Sequence, residues 1–338
     1  MALATPENLA RGFDIIKKYS THPTDTTFLS QESTLFFHNS RQAMINTAKI
    51  GGGFVILGGI VGNQKDHESV LSDFLSYAKQ NRQRVSVLML LQSQLKLFGD
   101  AGFGIHQIGV SYVCNVNSFD LSGSKYSSIR NMIVSAKKSG IEIKFMPLRE
   151  VDSETEEQLN NVDNEWRAVR KVNAPKVRFV VGDRYSCIKD RTMIVLALQN
   201  NKVVAYHTLQ QTFGQTPGWM VDSTRRIPND IKGLSEILVT ETIDAMKNKR
   251  LSGSFYNFGN APFDNISPEY SSGYERPIGN IVLKVMQKYP ERFYSSAKGL
   301  ANYKRKWRVE CYPEYYGYYP HFSPKNTLEI LKGIGALV

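Results

Sequence analysis

The sequence predicts an α/β fold of two tandem domains, with mixed sheets flanked by helices and a basic helix joining them. Three observations carry this. One layout, strand–strand–strand–helix–strand, occurs twice at long spacing. The chain has 338 residues, room for two domains of roughly 100–200 residues each. A lysine- and arginine-rich run with helical periodicity lies between the two occurrences.

In the first occurrence, STLFFHN (33–39) and QAMINTAKI (42–50) form a predicted hairpin. FVILGGI (54–60) follows as a third strand. Val70, Leu71, Phe74, Leu75 and Ala78 then make one stripe of a helix over 66–80, and RVSVLML (84–90) is the next strand. In the second occurrence, TMIVLALQ (192–199), the turn Asn200-Asn201-Lys202 and VVAYHTLQQ (203–211) make the hairpin. WMVDST (219–224), a helix over 233–247 and SFYNFG (254–259) complete it. The expected boundaries are 1–118, a connecting helix and strand over 119–150, and 151–338.

The connecting helix has an apolar stripe of Ile129, Met132, Ile133 and Ala136, and Gly140 is placed to cap it. Lys125, Arg130, Lys137 and Lys138 surround the stripe. They read either as a solvated basic face or as a phosphate-binding surface that would hold a nucleic-acid backbone without reading its sequence.

Composition limits the partners. Lysine plus arginine is 42 and aspartate plus glutamate 31, a formal charge of +11. That balance favours a polyanion: nucleic acid, an anionic membrane face or a phosphorylated ligand. The longest uncharged apolar run, GGGFVILGGIVG (51–62), is glycine-broken and shorter than the ~20 residues a span needs. No signal peptide is apparent, and Cys114, Cys187 and Cys311 are scattered without metal-ligand spacing. The chain reads as cytoplasmic, or peripheral to the inner face of a membrane, with reduced thiols and no metal.

The segment 218–259 holds the densest chemistry. On its helix, Glu241 interrupts the stripe formed by Leu234, Ile237, Leu238 and Ala245. A carboxylate buried there needs a partner, and Arg225, Arg226 and Lys232 are the expected cations. Glu241 reads as a structural ion pair, as a residue wetted by rotation of the helix, or as a carboxylate that serves chemistry. His207, in a hairpin strand, reads as a hydrogen-bonded structural residue. The tyrosines 312, 315, 316, 318 and 319 pack the C-terminal tail, stack an adenine or sit at a lipid interface.

The strand order resembles the GNAT acyltransferase core. That family holds coenzyme A pyrophosphate on a glycine-rich loop after the third long strand. GGIVGNQKD (58–66) and RRIPNDIKG (225–233) fit that loop poorly, and Pro228 stands where free N–H groups are needed.

Over residues 8–318 the chain resembles the soluble catalytic domain of the phosphatidylglycerol lysyltransferases, the multiple peptide resistance factors. The resemblance rests on LFFHNSRQAMI (35–45), FVILGGIVGN (54–63), FDLSGSKYSSIRNMIVSAKKSG (119–140), VDSTRRIPNDIKG (221–233), FYNFGNAPF (255–263) and LANYKRKWRVECYPEYYGYY (300–319), in that order. It departs at Cys311-Tyr312, where the family has a tryptophan and an acidic residue, and at Glu314, where the family has arginine before the tyrosine. No stretch resembles the family's membrane-embedded half.

The resemblance implies two tandem GNAT-like domains and transfer of an amino acid from aminoacyl-tRNA, as co-substrate, to a hydroxyl or amine. The acceptor would be the phosphatidylglycerol headgroup or a soluble small molecule, and no further cofactor is implied. Matched positions nominate Asp222, Glu241, Lys304 and Asn257 for catalysis. Arg225, Arg226, Glu236, Lys306 and Tyr315 are expected to bind substrate, and Lys125, Arg130, Lys137 and Lys138 to bind tRNA. Two other functions fit the same residues: an acyl-CoA-dependent N-acyltransferase, and a non-catalytic protein that binds tRNA or an anionic membrane.

Overall fold

A computed structural model describes residues 1–170, 184, 188–214, 217–228, 230–294 and 297–334. Cys187 and Asn229 lie outside the described residues, and Cys114 and Cys311 are free thiols.

The strands, in chain order, are β1 (Ala2–Leu3), β2 (Thr34–Phe37), β3 (Ala43–Ile50), β4 (Gly53–Gly62), β5 (Arg84–Leu91), β6 (Gly104–Asn115), β7 (Glu142–Pro147), β8 (Thr192–Gln199), β9 (Lys202–Thr212), β10 (Gly218–Arg226), β11 (Phe255–Pro262) and β12 (Glu310–Tyr319). The α-helices among the described residues are α1 (Pro6–Tyr19), α2 (Asp25–Phe28), α3 (His67–Gln80), α4 (Leu95–Asp100), α5 (Ser127–Lys138), α6 (Ser153–Arg170), α7 (Leu234–Lys247), α8 (Pro277–Lys288), α9 (Pro290–Phe293), α10 (Ala297–Arg305) and α11 (Pro324–Gly333).

Both predicted repeats are present. β4 is almost entirely buried, as the unbroken apolar run of a central strand requires. It pairs in parallel with β5, and α3 crosses between them on Val70, Leu71, Phe74 and Ala78. The second half repeats this with β10, α7 and β11. A parallel pair needs such a crossover because a tight turn cannot reverse the chain twice.

All the strands lie in one mixed sheet, in the order β1-β2-β3-β4-β5-β12-β6-β11-β10-β9-β8-β7. The halves exchange strands at its centre. β6, the last strand of the first half, pairs with β11, while β12 from the C-terminal end inserts between β5 and β6. The fold is the GNAT-like α/β arrangement expected, with the two units fused edge to edge. Tyr315, Tyr316 and Tyr318 of β12 are buried in the cores that this fusion creates.

The connecting helix α5 packs on α7. Gly233 precedes α7 at φ +88°, and a Cβ there would lie 2.0 Å from the Met132 carbonyl oxygen. Only glycine allows α5 to cover the start of α7 this closely.

Candidate active site

β10 and β11 pair in parallel only from Gly218–Met220 to Phe255–Asn257 and then part. Each strand bends at that point. β10 slips register against β9 at Asp222, where Thr208 Oγ1 accepts the Ser223 N–H at 3.1 Å and meets Ser223 Oγ at 2.9 Å. β11 slips against β6 between Asn257 and Gly259, whose φ is +76°. Bulges of this kind re-aim side chains. Here they leave Asp222 and Asn257 buried at the mouth of the gap. Asn257 Oδ1 accepts the Gly259 N–H at 2.6 Å, and its buried Nδ2 has no partner among the described residues.

The gap is filled from α10. Three consecutive cations, Lys304, Arg305 and Lys306, take three different directions. Arg305 grips the buried Asp264 carboxylate, with Nε at 3.0 and 3.1 Å from its oxygens. Tyr112 donates to the same carboxylate at 2.7 Å. Lys306 pairs with Glu236 of α7 and lies 4.0 Å from the Tyr303 ring centroid. Clamped on both sides, the helix turns Lys304 inward. There Nζ donates to the Asn260 carbonyl at 2.6 Å, and a Cβ built on Gly259 would lie 3.5 Å from Nζ.

Burial dominates the electrostatics. It lowers the Lys304 ammonium to about 7, against the opposing pull of Glu314 and Asp264. It raises the fully buried Glu314 carboxyl to about 7, against hydrogen bonds from Ser111 and Asn260 and the charge of Lys304. The cost of charging either group away from water drives both shifts. Glu314 Oε1 also lies 3.9 Å from His22 Nε2. That nitrogen is 2.7 Å from the Met89 carbonyl, which makes it the protonated one, and burial holds the imidazole neutral at about 4. A polar chain thus runs from His22 in the first half through Glu314 and Asn260 to Lys304 in the second.

Of the nominated residues, Lys304 is set against the bulge of β11 that follows Asn257, and Asp222 lies at the bulge of the neighbouring strand β10. The others lie elsewhere. Glu241 is the wetted ion pair among its readings, 26 % exposed and paired with Lys137 of α5 at 3.2 Å; the expected partners Arg225, Arg226 and Lys232 are corrected. Thr242 takes the buried position beside it and meets His207 Nε2 at 2.9 Å, which makes His207 the structural residue expected. Burial lowers that imidazole to about 3. Glu236 and Lys306 satisfy one another. Tyr315 is fully buried in the core of the first half rather than exposed to a substrate. The Arg225 guanidinium stacks 3.9 Å from the Trp166 ring, and Arg226 is exposed at the end of β10.

Of the basic helix, Lys125 and Lys138 are exposed, whereas Arg130 donates to the carbonyls of Leu121 and Gly123, the latter at 2.7 Å. Sequence reasoning missed Glu314, Ser111, Asn260 and His22 as members of the network. The signal for Glu314 was available: a lone carboxylate inside a tyrosine-rich strand, at a position where the family pattern differs.

Among the described residues no group of three or more His, Cys, Asp or Glu side chains is placed to hold a metal ion, and no helix is long and apolar enough to cross a membrane. The family described as phosphatidylglycerol lysyltransferase, C-terminal, matches residues 13–318. A phosphatidylglycerol lysyltransferase of Staphylococcus haemolyticus is 24% identical over 92% of this chain and 36% of its own length. One of Bacillus subtilis is 20% identical over 88% of this chain and 33% of its own. The chain therefore spans about a third of the curated relatives it matches. The structure of L-PGS from Bacillus licheniformis superposes with a TM-score of 0.77 at 20% identity, covering 99% of this chain and 98% of that one. The chain belongs to the family of phosphatidylglycerol lysyltransferase C-terminal domains.

Proposed function

We propose that the chain is an aminoacyltransferase that moves an amino acid from aminoacyl-tRNA to the headgroup hydroxyl of phosphatidylglycerol. The observation that carries this is the buried Lys304–Glu314 network beside the unpartnered Asn257 amide, where β10 and β11 part. Family membership over residues 13–318 supports it.

In this reading the acceptor hydroxyl attacks the ester carbonyl of the donor. A new ester C–O bond forms, the bond to the ribose oxygen breaks, and the acceptor's proton ends on that ribose oxygen. Ester is exchanged for ester, so no nucleotide is consumed. The protein supplies position, dryness and charge. A carboxyl group near 7 suits proton transfer at neutral pH, and Glu314 fills that role through the Ser111 hydroxyl. Asn257 Nδ2 and the Lys304 ammonium stabilise the developing oxyanion, and Asp222 receives the donor's α-ammonium. The exposed Lys125, Lys138 and Arg226 meet the tRNA backbone, so binding should weaken as salt rises.

The start of α7 speaks against acyl-CoA. α5 occupies that helix end, with Met132 against Gly233, where a pyrophosphate would otherwise sit.

The test is direct. The chain is incubated with tRNA charged with labelled amino acids and with vesicles containing phosphatidylglycerol, and the lipid is extracted. Label should appear in the lipid and vanish after ribonuclease treatment. Label in a water-soluble product would move the acceptor. No transfer from any charged tRNA would remove the reading.

A further inference from the structure

α8 has its apolar residues on the wrong side for a helix that only packs on a protein. Gly279, Leu283 and Met286 face inward and are buried. On the opposite face Ile278, Ile281 and Val285 are 61, 65 and 48% exposed, and the stripe continues to the exposed Tyr289. The spacing is that of one helical stripe. Lys284 and Lys288 are exposed along one edge of it, and Arg292 is exposed one turn further on.

The helix is fixed firmly enough to present this face. Asn280 Oδ1 meets His106 Nδ1 at 3.0 Å, and Tyr318 OH meets His106 Nε2 at 3.1 Å. Arg276, at the N-cap, donates to the carbonyls of Pro320 and Gly102 at 2.7 and 2.6 Å. A Cβ on Gly279 would lie 2.3 Å from His106 Nε2, so the helix rests directly on that ring.

We propose that the outer face of α8 docks on an anionic lipid bilayer, with Ile278, Ile281 and Val285 entering the interface and Lys284, Lys288 and Arg292 at headgroup level. Aliphatic side chains fringed by long cations are what such a surface selects, and the lysine stems can reach back to the phosphates. A second copy of the chain fits worse. A twofold pairing would set one cation-fringed stripe against another, and three aliphatic side chains fall well short of the roughly 800 Å² per partner of a stable dimer. Nucleic acid would leave the stripe unmatched. From His106, where α8 rests, β6 rises about 17 Å to Ser111. A bilayer held by α8 is thereby tethered to the strand from which Ser111 meets Glu314. That last point rests on the transfer reading; the docking does not.

The experiment is flotation with vesicles of phosphatidylglycerol and phosphatidylcholine in about equal parts, and with pure phosphatidylcholine. The protein should float with the anionic vesicles and much less with the neutral ones. The triple variant Ile278→Ser, Ile281→Ser, Val285→Ser should lose at least about tenfold in partitioning, with its melting temperature unchanged because all three side chains are exposed. Lys284→Glu with Lys288→Glu should erase the preference for anionic vesicles. Failure of the unaltered protein to float, or equal binding by the triple variant, overturns the proposal. So does a concentration-dependent dimer or tRNA binding that the triple variant abolishes. None of these readouts requires amino-acid transfer, so docking can hold where the transfer reading fails, and the reverse.

Discussion

The two places where parallel strands part are built alike and finished differently. In the first half β4 and β5 pair from Gly53–Leu57 to Arg84–Leu88 and separate at Gly58 and Gly59, both with positive φ. That gap is closed. The Gln94 amide accepts the Ile60 N–H and donates to the Ile60 carbonyl, both at 2.9 Å, in place of a neighbouring strand. Phe28 and Asp25 of α2 lie against Gly58, and His22 takes the Met89 carbonyl. In the second half the corresponding gap holds Lys304 and an Asn257 amide whose Nδ2 has no partner among the described residues. Topology opens both gaps, and side chains decide which one becomes scaffold. An unsatisfied donor beside a buried lysine costs stability, and the second half retains both.

The sharpest way to break this comparison is Lys304→Met. The side chain is replaced at similar length, so the gap stays filled, while the charge is lost. Transfer in a single turnover should fall by about a thousandfold, roughly 4 kcal/mol of transition-state stabilisation. Unchanged transfer per folded molecule would make the second gap as structural as the first. Gln94→Ala makes the opposite demand. It strands the buried N–H and carbonyl of Ile60 and should cost about 2 kcal/mol or more in denaturant unfolding, with transfer per folded molecule unaltered. A stable Gln94→Ala protein with impaired transfer would place chemistry in the first gap.

Asp25 sharpens the contrast through pH. Burial raises its carboxyl from 3.8 to about 7, and only partly do hydrogen bonds from Ser20 and His22 oppose this. A raised folded-state value means that the folded protein binds the proton more tightly than the unfolded chain. Its contribution is fully present below 3.8 and is lost as pH rises through about 7. Asp25→Asn should flatten that limb of the melting temperature against pH while leaving the limb that Glu314 contributes. An unaltered profile would show that Asp25 is ionised in the fold.

The smallest expected effect belongs to Glu241→Gln. It removes one half-exposed ion pair with Lys137, worth under about 1 kcal/mol, and should leave transfer unchanged. A tenfold loss of transfer would return Glu241 to the catalytic group.

Much of the local structure is legible in the sequence. β4 announces itself by an unbroken apolar run, α3 and α7 by their stripes, and the 192–211 hairpin by Asn200-Asn201. Helical periodicity alone leaves one position of uncertainty on α7. Thr242 packs inward through its hydroxyl on His207, and Glu241 beside it turns toward α5; a pattern that counts apolar residues cannot distinguish the two. β12 was illegible as a central strand because Pro313 lacks a ladder donor and Glu310 and Glu314 are charged, features that argue for an edge. Its true neighbours, β5 and β6, lie about two hundred residues earlier in the chain, and no local signal reports such a pairing. The Glu314 network follows from that pairing and was hidden with it. Lys304, Asn257 and Asp222 were nominated through resemblance, because their spacing in sequence says nothing about where the fold places them.

The exchange of β6 and β12 also sets an order of events in time. During synthesis β2 to β6 emerge together, yet β5 and β6 have no strand between them until residues 310–319 have left the ribosome. Until then β5 keeps one edge unpaired, and β6 keeps two until β11 emerges and one afterwards. Such edges recruit other chains, and the closing contacts span most of the sequence, which slows folding. The first half is therefore a poor independent folder, and the nascent chain carries open edges at the centre of its sheet until its last strand arrives.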